Sequence, residues 1–265
     1  MTSDCPESPY VLEGAGYHKL PTFIIPAYNE EKRIRNTLNA LINIFPGSEY
    51  LVVFDGQDHT PDVVSAFPNV RLISYNTRLG KGRAVMEGLK EISPEDVIVF
   101  IDADLPVTVN DIKRAIERFG KADMLIASRQ YVNFPMSRLY LHDMFNSLAK
   151  MFFPQLKQFR DWQAGFKVIN GQSINKVKNE LIMNDFIFDT NLTYSFLKRG
   201  MKVIEYPMVW HHEESGSKVS NGLFKVILMD FFSLIKLRVY YSPLKGILSS
   251  GSYTRAQEFI LKILR

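Results

Sequence analysis

The sequence has a single cysteine, Cys5, and no long hydrophobic run, and each scarcity excludes a class of protein. One cysteine cannot form an intramolecular disulfide, which excludes a disulfide-stabilised secreted domain and favours a reducing compartment. The first 20 residues contain no apolar stretch of signal-peptide length, and nowhere do 18 uncharged apolar residues follow one another. We therefore expect a cytosolic protein that is neither secreted nor membrane-spanning.

Positive charge is scarce in the first half of the chain and plentiful in the second. The net charge is +4, yet residues 1–129 hold 14 Lys and Arg against 18 Asp and Glu, whereas residues 130–265 hold 18 against 10. A basic C-terminal half favours an anionic partner, which leaves a membrane surface, a phosphorylated substrate and a nucleic acid open. Because this half lacks a recognisable nucleic-acid recognition motif, we expect no nucleic-acid partner.

Short apolar runs alternate with helical patterns between residues 20 and 130. This alternation is typical of a parallel sheet covered by helices on both faces, with ligands at the carboxyl ends of the strands. The predicted strands are Thr22–Pro26, Tyr50–Phe54, Val70–Tyr75, Val97–Ile101 and Met124–Ala127. The predicted helices are Glu30–Ile44, Thr60–Phe67, Gly80–Glu91 and Val109–Phe119.

Beyond residue 130 the pattern changes to longer helices rich in Phe, Leu, Met and Tyr, and a further strand is predicted at Lys202–Val209. Two helical stretches, Ser137–Phe153 and Leu223–Tyr241, are unusually apolar for a soluble surface. The second stretch carries too much charge to span a bilayer but is apolar enough to lie on one. A helix that packs into the core is the alternative interpretation.

Two carboxylates stand one residue apart at the end of an apolar strand, in Ile101-Asp102-Ala103-Asp104. Because side chains alternate along a strand, one carboxylate would point inward, which is costly for an ion unless a cation meets it. Oxygen ligands of this kind suit Mg²⁺ or Mn²⁺, which completes its shell with substrate phosphate oxygens. Alone, the motif is equally compatible with a solvated strand end or a helix cap.

Polar loops also follow the first three predicted strands. The loop Pro26–Glu30 opens into a helix and offers Tyr28 for stacking on a base. Asp55 begins a turn whose acid could accept hydrogen bonds from a base or a ribose. The Gly-rich turn Asn76–Gly82 carries two cations at a helix start, which suits a diphosphate. Each loop alone is ordinary turn or capping chemistry, but four of them after four successive strands indicate a nucleotide site.

Residues 21–130 resemble the nucleotide-binding half of the inverting family 2 glycosyltransferases. Four motifs stand in the family's order and approximate spacing: Pro26–Glu30, Asp55-Gly56, Gly80-Lys81-Gly82 and Asp102-Ala103-Asp104. Further segments resemble the subgroup that makes dolichyl-phosphate glucose and dolichyl-phosphate mannose, nearest the glucose-type enzymes. These segments are Arg160–Lys167, Phe188-Asp189, and Trp210 followed by Gly216-Ser217-Lys218.

The resemblance implies an α/β GT-A fold, which is a Rossmann-like, mostly parallel sheet flanked by helices. It also implies C-terminal amphipathic interfacial helices and no transmembrane helix. We divide the chain into an N-terminal arm (1–19), a nucleotide-sugar-binding half (20–130), an acceptor-binding half (131–220) and amphipathic C-terminal helices (221–265). The implied activity is metal-dependent, inverting transfer of glucose or mannose from UDP- or GDP-sugar to a polyprenyl (dolichyl) phosphate. The implied location is peripheral, at the cytoplasmic face of a membrane.

The same resemblance assigns roles to individual residues. Asp104, together with Asp102, holds Mg²⁺ or Mn²⁺ on the donor diphosphate. Arg129 lies near the donor diphosphate or the acceptor phosphate, as do Arg138 and Lys218. The expected substrate-binding residues, most of them around the nucleotide, are Pro26, Ala27, Tyr28, Glu30, Asp55, Lys81, Ala103 and Lys167.

Three positions depart from the family's pattern. Phe54 replaces the first acid of the usual Asp-Asp-Gly turn, which bears on base selection. Pro106 stands where the dolichyl-phosphate mannose enzymes often carry a metal-binding Gln. Asn191 replaces an acid that commonly follows the Phe188-Asp189 pair.

Two other functions stay open at this point. A non-catalytic nucleotide-sugar-binding module would keep the same loops without turnover. A family 2 enzyme that transfers sugar to a saccharide or protein hydroxyl would require a general base, for which Asp161 and Asp189 are candidates.

Overall fold

The structure is a computed structural model that describes residues 20–94, 96–105, 107–132, 136–211, 223–251, 253 and 255. The predicted N-terminal arm, Pro106 and Lys218 lie outside these residues. The strands of the described part are β1 (Thr22–Ala27), β2 (Glu49–Phe54), β3 (Val70–Ser74), β4 (Val97–Ile101), β5 (Met124–Val132), β6 (Phe166–Asn170) and β7 (Val203–His211).

Eight α-helices and three short 3-10 segments connect or follow these strands within the same residues. The helices are α1 (Ile34–Ile44), α2 (Thr60–Ser65), α3 (Lys81–Leu89), α4 (Val109–Phe119), α5 (Met136–Phe152), α6 (Gly171–Val177), α7 (Phe188–Lys198) and α8 (Leu223–Tyr240). The 3-10 segments are Pro154–Gln158, Lys178–Glu180 and Pro243–Ser249.

The strands form one sheet in the order β3-β2-β1-β4-β6-β5-β7. Every neighbouring pair is parallel except the two pairs that involve β6, which runs antiparallel to β4 and to β5. The predicted mostly parallel sheet flanked by helices is therefore confirmed. Because chain order reverses between β1 and β4, a crevice is expected at their carboxyl ends, where doubly wound sheets bind ligands.

The sheet is buried on both faces, as its apolar strands require. Phe23 and Ile25 pack on one face with α1, α2 and α4, whereas Ile24 packs on the other face with α3, α5, α6, α7 and α8. The one-residue alternation along β1 explains this division, since successive strand side chains point to opposite faces. The helices thus leave only the strand ends open to a ligand.

Two predicted boundaries change markedly in the structure. Helix α1 begins at Ile34 rather than at Glu30, because a turn in which Glu30 O accepts from Arg33 N at 2.9 Å precedes it. Strand β5 continues past Ala127 to Val132 by pairing with β7, so Arg129 lies within the strand rather than after it.

The two apolar stretches of the second half form α5 and α8. One side of α8 enters the core through Leu234 and Leu237, while Met229 and Phe232 stay exposed. Core packing and an exposed apolar surface therefore coexist on this helix. Among the described residues, no helix combines the length and apolar character that crossing a bilayer requires.

Candidate active site

A cavity of about 590 Å³ lies at the carboxyl ends of the central strands, where the reversal of strand order predicts a crevice. Lys167 is not among its lining residues and borders a small adjoining pocket instead. Lys218 and the side chain of Arg138 lie outside what the structure describes. The predicted residues that line the cavity are Pro26, Ala27, Tyr28, Glu30, Asp55, Lys81, Asp102, Ala103, Asp104 and Arg129.

Arg78 connects the first two loops of the cavity. Its guanidinium carbon lies 3.4 Å from the centroid of the Tyr28 ring, and its Nη1 donates to Asp55 Oδ1 at 2.8 Å. The second carboxylate oxygen of Asp55 accepts from the backbone N–H groups of Leu79 and Gly80 at 2.8 and 2.9 Å. Asp55 therefore anchors the Gly-rich loop, and its predicted contact with a base stays a prediction.

The Phe54 departure has a structural explanation. Phe54 is buried at the end of β2, and its ring packs close to Gly56. A Cβ at Gly56 would lie 2.4 Å from Asn29 Oδ1, which accepts from Gln57 N at 2.9 Å. Phe54 thus contributes to the core, and the turn after it is packed so tightly against the first loop that only glycine fits.

Asp102 and Asp104 face the cavity from a firmly held turn after β4. Ala103 O accepts from Thr37 Oγ1 of α1 at 2.6 Å, and Asp102 N donates to Gly165 O at 3.1 Å. Because β6 pairs with β4, Gly165 lies against the acid pair, and a Cβ there would be 1.6 Å from Asp102 Oδ2. Glycine at this position is therefore required for Asp102 to keep its place.

Negative charge is concentrated at this end of the cavity. Lys81 Nζ lies 3.2 Å from Asp102 Oδ1, and Arg33 Nη1 lies 3.9 Å from Asp104 Oδ2. Burial raises the pKa of Glu30, and the charges of Asp104 and Asp102 raise it further against the opposing effect of Arg33. Such crowding of carboxylates favours an added cation.

The acid pair has the donor chemistry of a Mg²⁺ or Mn²⁺ site. These ions are usually held by one or two carboxylates and by oxygens of substrate phosphates. The part of the chain that the structure describes contains no group of three or more His, Cys, Asp or Glu side chains around one metal position. A metal at Asp102 and Asp104 would therefore take the rest of its shell from the substrate and solvent.

A chain of ion pairs extends from the acid pair into the protein interior. Lys81 Nζ is also 3.2 Å from Asp189 Oδ2, and Lys167 Nζ donates to Asp189 Oδ1 at 2.5 Å and to Ala164 O at 2.7 Å. Burial opposes the charge of Lys81, but Asp102 and Asp189 outweigh it and raise its pKa, whereas burial lowers the pKa of Lys167. Lys167 is fully buried, and its contact with Asp189 holds that carboxylate in position.

Arg129 is a fixed cation in the cavity wall. Its Nε donates to Asp161 Oδ2 at 2.5 Å and its Nη2 to Asp161 Oδ1 at 3.1 Å, while His142 Nε2 lies 3.4 Å from the same Oδ1. Burial opposes ionisation of Asp161, but His142 and Arg129 hold its pKa well below the usual range. The pair stays charged, which presents a guanidinium suited to an anionic substrate.

Part of the cavity wall is apolar. Leu141 and Phe145 of α5 line it together with Phe186, and Asp230 of α8 lies among them. Burial, followed by the nearby charge of Asp185, raises the pKa of Asp230 to about 7. No motif in the sequence assigns this wall, although a single acid within the apolar run of α8 is a signal for it.

Asn191 does not line the cavity. It is fully buried in α7, and its Oδ1 accepts from Ile182 N and Met183 N at 2.8 and 3.2 Å. Its Nδ2 donates to Glu180 O at 3.0 Å and lies 3.2 Å from the Tyr241 hydroxyl. An acid could not donate these bonds, so Asn191 serves to join α7 to the end of α8.

Comparison with known proteins agrees with the geometry. The family model described as Glycosyl transferase family 2 matches residues 22–180, which is more than half of the chain. Glycosyltransferase AglD of Haloferax volcanii is 28% identical over 71% of this chain, which spans only 32% of AglD. Dolichyl-phosphate beta-glucosyltransferase ALG5C of Trichomonas vaginalis is 24% identical over 83% of this chain and 71% of that protein. Undecaprenyl-phosphate mannosyltransferase of Micrococcus luteus is 28% identical over 76% of this chain and 87% of its own length.

Solved structures show the same fold. Glucosyl-3-phosphoglycerate synthase from Mycobacterium tuberculosis, in complex with Mn²⁺, UDP-glucose and phosphoglyceric acid, superposes with a TM-score of 0.66 at 16% identity. The match covers 84% of this chain and 82% of that one. The predicted GT-A architecture and the resemblance to the dolichyl-phosphate sugar transferases are thereby confirmed.

Proposed function

The chain belongs to the glycosyl transferase family 2, and we propose that it transfers glucose or mannose from a UDP- or GDP-sugar to a polyprenyl (dolichyl) phosphate. It is a hexosyltransferase, as the names of its relatives support. One observation carries the proposal: a single cavity joins the acid pair Asp102 and Asp104, the fixed cation Arg129 and an apolar wall. These are the three elements that a metal-bound diphosphate, an acceptor phosphate and a lipid chain require.

The donor occupies the acid end of the cavity in this account. Asp102 and Asp104 would hold Mg²⁺ or Mn²⁺, which neutralises the charge of the departing nucleoside diphosphate when bound. Lys81, next to Asp102, starts α3, where backbone N–H groups and the helix dipole favour phosphate. Tyr28 and Arg78 provide a stacked surface beside them for the nucleotide.

The acceptor phosphate needs no general base. Its second pKa is about 6, so at neutral pH it is largely a dianion whose oxygen is already nucleophilic. That oxygen forms a bond to the anomeric carbon while the bond from this carbon to the diphosphate oxygen breaks, and no proton is transferred. Attack opposite the leaving group inverts the configuration, and Arg129 reduces the repulsion between the two anions.

A hydroxyl acceptor is not supported by the two carboxylates that the sequence offered as its general base. Its general base would be a carboxylate able to take a proton, and Asp161 and Asp189 were the candidates. Asp161 is paired with Arg129, and Asp189 with Lys81 and Lys167. Both carboxylates are thus engaged by cations and not free to receive a proton from a hydroxyl.

We also propose that the enzyme docks on a membrane through an apolar surface formed by α5, α8 and the 3-10 segment Pro243–Ser249. Its exposed members are Met136, Tyr140, Met151, Met229, Phe232, Leu244 and Ile247. A surface of this kind favours a lipid interface, and the basic second half favours anionic lipid. Co-sedimentation with anionic liposomes that weakens at high salt is expected; partitioning to the supernatant at every salt concentration would contradict it.

The proposed function is tested by a donor panel. The purified protein is incubated with Mg²⁺ or Mn²⁺, a short polyprenyl phosphate, and radiolabelled UDP-glucose or GDP-mannose. We expect label in the organic phase with one of the two donors and none with Asp104→Asn. Nucleotide binding without any label transfer would instead indicate a non-catalytic binding module.

A further inference from the structure

Asp230 is the charged exception in the apolar wall of the cavity. It lies on α8 and lines the cavity with Leu141 and Phe145 of α5 and with Phe186. The nucleotide loops, the acid pair and Arg129 belong to other elements. An acid at this position borders the same cavity as the acid pair and Arg129, which the proposed function gives to the donor and the acceptor.

The neighbours of Asp230 that the structure describes leave its charge uncompensated. Within the described residues, no Lys, Arg or His forms an ion pair with it. Its acidic neighbour Asp185 is held in place, with Ser233 Oγ donating to Oδ2 at 2.7 Å and Ile187 N donating to Oδ1 at 2.9 Å. The other described charged groups of the elements packed against α8 are His142, Asp143, Lys150 and Lys245.

None of these neighbours forms an ion pair with Asp230. His142 is engaged with Asp161 and Asp143, and Lys150 lies over the Trp162 ring at 5.5 Å. An ionised Asp230 would thus stand beside Asp185 in a partly desolvated, apolar environment, which is unfavourable. The position of Asp230 therefore favours the neutral, protonated form of its carboxyl group.

We propose that Asp230 is an acceptor-specificity residue whose protonation state decides whether an anionic acceptor enters the cavity. The neutral carboxyl presents an O–H donor to a phosphate oxygen, and the ionised carboxylate repels the same phosphate. The inference rests on the proposed function, since it takes a lipid phosphate as the acceptor. It adds to that function a residue that discriminates by charge without taking part in the bond exchange.

The pH range in which the acceptor is used best follows from the titration of Asp230 and that of the acceptor phosphate. Burial and Asp185 raise the pKa of Asp230 to about 7, so the carboxyl is mostly neutral below that pH and mostly ionised above it. The acceptor becomes a dianion above about pH 6. Use of the acceptor should therefore be best between these values and decline above about pH 7.

The test compares kcat/KM for a short polyprenyl phosphate between pH 5.5 and 9 in the wild type, Asp230→Asn and Asp230→Glu. We expect the wild-type value to fall by up to about tenfold for each pH unit above 7. Asp230→Asn should remove this decline, and Asp230→Glu should retain one. Asp62→Asn, on the exposed side of α2 and away from the cavity lining, is the matched control and should behave as the wild type.

Three results would overturn the inference. Superimposable wild-type and Asp230→Asn profiles would show that the charge of Asp230 does not reach the acceptor. Inactivity of Asp230→Asn at every pH, with normal nucleotide titration and thermal unfolding, would show that transfer itself requires the Asp230 carboxyl, which is a role in the reaction and not in discrimination by charge. If the wild type transfers no sugar to polyprenyl phosphate at any pH, the proposed function itself fails and this inference with it.

Discussion

Arg129 and Asp161 form a two-point ion pair in which Nε and Nη2 of the arginine each donate to a different oxygen of the same carboxylate. Both side chains are largely buried, and Glu205 Oε1 accepts from Asp161 N at 2.9 Å behind them. The cation that faces the cavity is therefore held by a carboxylate that faces away from solvent. Loss of the Arg129–Asp161 ion pair should therefore lower the stability of the second half and also weaken the proposed binding of the acceptor.

Asp161→Asn should weaken both the stability of the protein and the proposed binding of the acceptor. An unpaired buried guanidinium costs about 3–5 kcal/mol, which urea unfolding would show as a lowered free energy of unfolding. Because the native pKa of Asp161 is depressed, the stabilisation from its ionised form is present above its unfolded pKa of about 3.9 and is lost as pH falls through the native value. The exposed Glu117→Gln on α4 is the control. An Asp161→Asn protein as stable as this control would contradict the assignment.

Gly165→Ala should displace Asp102 and so reduce activity, although both carboxylates of the acid pair are kept. The new Cβ would occupy space 1.6 Å from Asp102 Oδ2, so the carboxylate or the turn must move. Displacement of about 1 Å at a reacting centre can cost about a hundredfold in rate. We expect that loss in kcat/KM together with weaker Mn²⁺-dependent nucleotide binding. Gly246→Ala, whose Cβ meets nothing within 4 Å, should remain active; equal activity of the two variants would remove the steric argument.

Asp104→Asn should abolish metal-dependent transfer while the fold is kept, because a neutral amide is a poor ligand for a dication. The measurement is initial rate against Mg²⁺ or Mn²⁺ concentration, with circular dichroism and thermal unfolding as checks on the fold. Asp62→Asn, on the exposed side of α2, is expected to match the wild type. Full wild-type activity in excess EDTA would show that the reaction needs no divalent ion.

Arg138→Ala should reduce use of the acceptor. Arg138 belongs to the first turn of α5, outside the nucleotide half, and its predicted contact is with the acceptor phosphate. Losing a charge-assisted contact costs about 1.5–3 kcal/mol, or roughly ten- to a hundredfold in kcat/KM for polyprenyl phosphate. Nucleotide titration should hardly change, and Arg118→Ala on α4 should have no effect. Weakened nucleotide binding with an unchanged acceptor dependence would place Arg138 at the donor instead.

The sequence predicts the nucleotide half well because its elements are strongly determined by local pattern. Strand β4 and helix α4 have the predicted bounds. Every residue of β4 is buried, which gives a continuous apolar run, and α4 begins at a cap in which Thr108 Oγ1 accepts from Asp111 N. Loops after such strands meet at one sheet edge, so most predicted site residues do line one cavity.

The second half depends on contacts between residues far apart in sequence. Strand β6 was not predicted, because Lys167 interrupts its apolar pattern and is held there by Ala164 O and by Asp189, 22 residues later. The same ion pair removes Lys167 from the cavity wall. Asp230 was likewise missed, since its place in the cavity follows from the packing of α8 rather than from any motif.

In the proposed reaction a phosphate oxygen, not a hydroxyl, accepts the sugar. Initial rates of transfer should be compared for a short polyprenyl phosphate and the matching polyprenol, with the preferred nucleotide sugar and Mg²⁺ or Mn²⁺. We expect a glycosylated lipid phosphate and no product from the alcohol. Transfer to polyprenol or to a saccharide hydroxyl, with none to the lipid phosphate, would contradict it.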